Sequence, residues 1–263
     1  MLFRSAVLGA AEKLRSPVII QTTEGAIKYA GLKELTALVK AAAEAVKAPV
    51  ALHLDHGHNF ELIKKCVAAG YSSVMIDGSG LPYKKNAALT RSVVKYAHQR
   101  KVWVQGELGR LEGLEDWVKT GARQAFLTEP DEAARFVRET RVDALAVAIG
   151  NYHGVDKLIS KKPLKLDLKR LAKIFKLVKV PLVLHGASGF PANQIKAAIK
   201  LGVRIVNIDS ELRVSFASAE RRYLQKNKKE FDPRKILSPA IVEMQKVVEK
   251  KIEMFGSRGK VYR

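Results

Sequence analysis

Three of the six histidines, His56, His153 and His185, each follow a short apolar run and stand among acids, amides and glycines. Three imidazoles that converge on one ion, with the fourth position open, make a catalytic zinc arrangement. These three are far apart in sequence, so convergence requires a fold that gathers strand ends. The other histidines have plainer readings. His53 falls inside a strand run and reads as a packed core residue. His98 falls on a helix, at the surface or in the core, and His58 reads as a rim residue.

A second pattern is Gly186-Ala187-Ser188-Gly189 together with Asn207-Ile208-Asp209-Ser210. Small residues after a strand let backbone N–H groups approach a phosphate at a helix N-terminus. An ordinary turn with Ser210 as a helix cap is the plain alternative. It accounts for Ser210 better than for the whole Gly-Ala-Ser-Gly loop. Neither G-x-x-x-x-G-K-[ST] nor G-x-G-x-x-G occurs, so nucleotide sites of those types have no support.

The elements that would position these residues alternate along the chain. Nearly continuous Val/Ile/Leu runs at 18–21, 50–54, 73–76, 102–105, 144–149, 181–184 and 204–208 predict seven strands buried on both faces, hence parallel. Helical periods at 5–14, 31–46, 59–69, 86–99, 131–139, 167–178, 191–200, 210–225 and 239–255 fill the gaps and flank them. This is the pattern of a (β/α)8 TIM barrel whose first strand is absent from the chain, in one domain over residues 1–263. The longest irregular stretches, 108–129 and 151–166, follow the fourth and fifth strands, where a barrel places chemistry or a lid.

Composition narrows the class. The 263 residues are 47% hydrophobic, enough for a real core, and the lone Cys66 cannot form an internal disulfide. No stretch approaches the roughly 18 apolar residues of a membrane span, and no targeting signal is evident, so a cytoplasmic protein is expected. Lys+Arg outnumber Asp+Glu by 47 to 26, a formal charge of +21. Nucleic acid, an anionic surface or acidic small molecules fit that charge. The lysines between 157 and 179, however, recur around a stripe of Leu168, Leu171, Ile174, Phe175 and Val178, the spacing of a solvated helix face.

Taken in order, the segments SPVIIQTTEGAIKYAG, VALHLDHGHNFELIKKCVAAGYSSVMIDGS, ELGRLEGLED, DALAVAIGNYHG, PLVLHGASG and VNIDSELR resemble the class II, metal-dependent fructose-bisphosphate and tagatose-bisphosphate aldolases. FDPRKILSPA and FGSRGK extend the likeness towards the C-terminus. The resemblance implies a lyase that splits a ketose 1,6-bisphosphate into dihydroxyacetone phosphate and glyceraldehyde 3-phosphate. By it, His56, His153 and His185 are zinc ligands, with Glu107 and Asp77 as alternative or second-cation ligands. Asp55 would exchange the C4 hydroxyl proton, and Glu115 would handle the C3 proton of the triose. Thr23, Gly154, Gly186, Ser188, Asn207, Asp209 and Ser210 would bind substrate and phosphate. A homodimer or homotetramer is implied as well.

The chemistry agrees with this likeness. Retro-aldol cleavage leaves charge on an enediolate, which either a lysine Schiff base or a cation can stabilise. Residues 144–154 contain no lysine, so a cation is the better-supported electron sink. The chain departs from the family at several places: it starts at the helix after the family's F-N-x-N-like first strand, and it has Thr23 for serine, Ser210 for threonine and Gln105 for glutamate. Glu112 replaces a glycine, and Lys84-Lys85 replace residues that are usually acidic. The alternatives are a degenerate barrel that binds anions or RNA, and an aldolase for another phosphorylated ketose.

Overall fold

The computed structural model describes residues 2–111, 113–115, 118–120, 126–155, 158 and 164–261, without the side chains of 2–4, 113–115 and 118–120. All seven expected strands form: β1 (Val18–Thr22), β2 (Val50–Gly57), β3 (Ser73–Ile76), β4 (Trp103–Leu108), β7 (Ala144–Val147), β8 (Leu182–Leu184) and β9 (Val203–Val206). They make one sheet in the order β1-β2-β3-β4-β7-β8-β9, and each pairing from β2 to β9 is parallel. Neighbours in the sheet are neighbours in sequence, apart from a small antiparallel hairpin, β5 (Gly113–Glu115) and β6 (Val118–Thr120), inside the expected loop after β4.

The helices are α1 (Leu2–Leu14), α2 (Glu24–Ala30), α3 (Leu32–Glu44), α4 (Phe60–Ala69), α5 (Tyr83–His98), α6 (Pro130–Thr140), α7 (Leu168–Leu177), α8 (Ala192–Lys200), α9 (Ser210–Lys226) and α10 (Pro233–Phe255). Two differ from the sequence expectation. Helix α2 was expected as a polar strand-end loop. It forms because Thr23 caps it, its hydroxyl accepting from Ala26 N at 3.2 Å, and Gly31 at φ 85° ends it. Helix α10 starts six residues before Pro239, at Pro233, where Asp232 accepts from Arg234 N. Pro239 therefore lies inside the helix rather than at its first position.

The chain divides into two compact units. The first takes residues 1–20, 37–50 and 208–263. Its core is Ala6, Ala10, Leu14, Leu212, Met244, Val248 and Ile252, with Ile208 and Phe216 packed on it. Small residues on α1 let α10 approach closely; a Cβ on Gly9 would lie 2.9 Å from the Gln245 side chain. A Lys13–Glu249 pair ties α1 to α10 and a Lys251–Glu211 pair ties α10 to α9, both at 2.7 Å.

The second unit, residues 21–36 and 51–207, holds most of the sheet. The central strands here are largely buried, as the unbroken apolar runs require, and β7 and β8 expose nothing appreciable, whereas Trp103 at the start of β4 and Arg204 on β9 are exposed. Helix α7 is capped by Asp167, buries Leu171 and Ile174, and leaves Lys169, Lys173 and Lys176 exposed. No helix among the described residues is long and apolar enough to cross a membrane.

Candidate active site

Strand β2 carries the first site residues, and it does so through an irregularity. Leu54 pairs with Val74 and Gly57 with Ile76, so three steps on β2 match two on β3. The extra residue is a bulge at Asp55–His56, and His56 takes the left-handed conformation with φ 45°. In a regular strand two consecutive side chains face opposite ways. The bulge re-aims one of them, and both Asp55 and His56 are buried at this strand end. Gly57 permits it: a Cβ there would lie 2.7 Å from Met75 O and 2.9 Å from the Leu54 side chain.

His56, His153 and His185 come together. One ring nitrogen from each lies within 4.8 Å of the others. His56 Nε2 is 2.8 Å from His185 Nδ1, and the His153 ring centroid lies 5.4 Å from that of His56. The other edge of His56 faces carboxylates. Its Nδ1 donates to Asp77 Oδ2 at 2.9 Å and lies 3.8 Å from Glu107 Oε2. His56, Asp77 and Glu107 form a second group of candidate ligand atoms, again within 4.8 Å of one another. His56 is thus shared between a nitrogen-rich side and a carboxylate side. Three imidazoles suit Zn2+, and Asp77 behind His56 is the carboxylate–histidine arrangement that orients a ligand and raises its basicity.

Other groups fix these rings. Asn151 accepts from Ile149 N at 2.8 Å and donates to His185 O at 3.0 Å, pinning the backbone of β8's end to that of β7. Gln105 Nε2 lies 2.7 Å from His185 Nε2. Asn207 Nδ2 lies 3.3 Å from the same nitrogen and 3.4 Å from Asp55 Oδ1. Asn86 donates to Glu107 O at 2.9 Å. Sequence reading named Gln105 only as a departure from the family and gave Asn151 no part; an amide directly inside or after a strand that ends in ligands was the available signal.

Burial keeps His185 and His53 neutral, while Asp77 stays charged. Burial pushes His185 well below 6.5, and the neighbouring His56 and His153 add to this. For Asp77, burial opposes charge, but the His56 hydrogen bond and charge and the Ser79 contacts prevail and hold its carboxyl well below the usual range. His53, inside β2, is buried with Nδ1 2.7 Å from Ser73 Oγ, and burial followed by His56 pushes it down to about 3. His58 is half exposed, 3.6 Å from Asp77 Oδ2, and His98 pairs with Asp143 on the surface of α5.

The Gly-Ala-Ser-Gly turn follows β8. Gly186 has φ 55°, and a Cβ there would run into Tyr152 O; Gly189 has φ 81°, with Leu158 2.7 Å from where its Cβ would be. Both positions need glycine. Ser188 is buried, and Gly154, with φ 104°, follows His153 on the loop after β7. The far end of that loop is tied down by Asp167 N to Ile149 O at 2.7 Å and by Gln194, which bonds Leu166 N and Leu164 O. Thr23 uses its hydroxyl as the α2 cap. Asp209 and Ser210, in the first unit, open α9; Asp209 pairs with Arg213 at 2.7 Å and Ser210 is buried. Glu115 lies on β5, but its side chain, like all of Glu112, lies outside the described residues.

Residues 1–260 match the family described as fructose-bisphosphate aldolase class-II. A fructose-bisphosphate aldolase of Thermus caldophilus is 44% identical, over 99% of this chain and 91% of its own. The crystal structure of the YdjI aldolase of Escherichia coli K12 superposes with a TM-score of 0.85 at 31% identity, covering 100% of this chain and 90% of that one. Fructose-bisphosphate aldolase of Campylobacter jejuni gives 0.83 at 26% identity, covering 98% and 88%. With a family match over residues 1–260 and near full-length similarity to a named aldolase, the chain belongs to the class II fructose-bisphosphate aldolase family, and it is an aldolase, a carbon–carbon lyase.

Proposed function

We propose that this aldolase is zinc-dependent and reversibly cleaves fructose 1,6-bisphosphate, or its C4 epimer tagatose 1,6-bisphosphate, to dihydroxyacetone phosphate and glyceraldehyde 3-phosphate. The observation that carries the reading is the meeting of His56, His153 and His185 nitrogens within 4.8 Å, beside a buried Asp55. These three residues would hold the ion, with Glu107 and Asp77 available to a second cation or as alternative ligands. When bound, Zn2+ supplies Lewis acidity to the ketose carbonyl side, worth several kcal/mol on the enediolate charge.

The chain's own residues supply the rest. Asp55 takes the C4 hydroxyl proton on cleavage and returns it on condensation, held by the Asn207 amide at 3.4 Å. Asp77 keeps the proton of His56 on Nδ1, so Nε2 carries the lone pair that a ligand needs. Gly186 and Ser188 present backbone N–H groups to a phosphate, with Gly154 and Asn207 on the triose. Thr23, Asp209 and Ser210 join this list on the sequence pattern, as does Glu115, the acid for the C3 proton. The family match from residue 1 to 260 supports treating the chain as one catalytic domain of (β/α)8 type. On the resemblance read from the sequence, it acts in the cytoplasm as a homodimer or homotetramer.

Purified protein is expected to cleave fructose 1,6-bisphosphate or its epimer in a coupled triose-phosphate assay. The activity should vanish with chelator and return with Zn2+ or Co2+. Replacing His153 by Ala should remove bound metal and activity together. Turnover that ignores chelation and is trapped by borohydride would overturn the metal reading.

A further inference from the structure

The polar contacts around the histidines form a chain with a direction. The Asp77 carboxylate accepts, so the proton of His56 sits on Nδ1, 2.9 Å away. His56 Nε2 then offers a lone pair. The 2.8 Å contact to His185 Nδ1 needs one proton, and His185 supplies it. That leaves a lone pair on His185 Nε2, and two amide NH2 groups converge on it: Gln105 at 2.7 Å and Asn207 at 3.3 Å. Every donor in the chain meets an acceptor.

A ligand nitrogen must present a lone pair, so His185 serves an ion through Nδ1 only after its proton has moved to Nε2. The Nε2–H then needs an acceptor. Asn207 Nδ2 also faces Asp55 Oδ1, so turning that amide would bring oxygen against a carboxylate. Gln105 has no such tie: its amide otherwise meets Met75 Sδ at 3.1 Å, and sulfur tolerates either end.

We propose that Gln105 is a positioning residue that, with His56 and Asn207, keeps the proton of His185 on Nδ1 by donating to Nε2, and that must turn to accept from Nε2 when the proton moves there. A carboxylate at this position could only accept and would hold His185 ready for metal. The amide makes loading cost a tautomer change and an amide rotation, so this chain binds its ion less tightly than a glutamate variant would. The inference rests on the metal reading above.

Two variants test it, Gln105→Glu and Gln105→Met, each checked for fold by circular dichroism. In chelator-stripped wild type, long-range 1H–15N spectra should show His185 protonated on Nδ1. Gln105→Glu should shift it to Nε2–H and tighten Zn2+ binding by roughly tenfold or more, measured by competition with a chromogenic chelator. Gln105→Met, which leaves the His56 acceptor and the Asn207 donor in place, should keep His185 protonated on Nδ1. An unchanged tautomer and a Zn2+ affinity within about twofold of wild type in Gln105→Glu would overturn the proposal. A folded wild type that takes up no Zn2+ would overturn the metal reading instead, while the tautomer spectrum of that same sample still decides the Gln105–His185 pairing.

Discussion

Asp77 Oδ2 lies 2.9 Å from Nδ1 of His56, while the other ring nitrogen of His56 meets His185. One side chain therefore joins a buried carboxylate to the histidine cluster. Replacing Asp77 by Asn keeps the shape and an acceptor but removes the charge that raises the basicity of His56. Zn2+ affinity should fall by about 10–100-fold, read by chelator competition, with little change in the folded spectrum. Unaltered affinity would mean that Asp77 does not orient the ring.

Gly186 is held at φ 55° against Tyr152 O. Alanine there must adopt a left-handed backbone and displace the loop that carries His153. A loss of about 1–3 kcal/mol in urea unfolding is expected. Weaker retention of inorganic phosphate or dihydroxyacetone phosphate, measured calorimetrically, should accompany it if the turn cradles the anion.

His53 gives the stability a pH dependence with a fixed sign. Its folded value of about 3 lies below the ordinary 6.5, so in that window the unfolded chain binds the extra proton. Its contribution is fully present above pH 6.5 and is lost as pH falls from there to about 3. At about 1.4 kcal/mol per pH unit, the loss is on the order of 5 kcal/mol over the window. Urea midpoints measured against pH should show a shallower acid limb in His53→Leu than in wild type.

Cys66 should be inert in the native protein. Burial, with Glu24 adding to it, pushes the thiol up to about 12, and no surface of the residue is accessible. At pH 8 only about one thiol in ten thousand is ionised. Iodoacetamide should leave native protein unlabelled and modify it fully in urea, as followed by intact mass. Rapid native labelling would show that α4 opens readily.

The strands were legible because each is a short Val/Ile/Leu run, and the central ones are buried on both sides, although β1 and β9 are only partly buried. The three histidines followed from their places at the ends of such runs. What the sequence hid is geometric. Period-two alternation would send Asp55 and His56 to opposite faces, and nothing in the letters announces the bulge that alters this. Helix α2 was masked by the Thr, Glu and Gly that serve as its cap and first turn, and Pro239 looked like a helix start because Pro233 already was one. The Gln105–His185 contact joins residues 80 apart, and no local pattern marks it.

The bulge on β2 also bears on how this site tolerates change. The proposed proton acceptor and a proposed ligand are successive residues, so one peptide bond fixes the spacing of their Cα atoms, while the backbone turn at the bulge decides whether their side chains reach one site. A core substitution that keeps the bulge can tilt the pair as a whole; one that straightens β2 would turn Asp55 and His56 to opposite faces and part base from ligand.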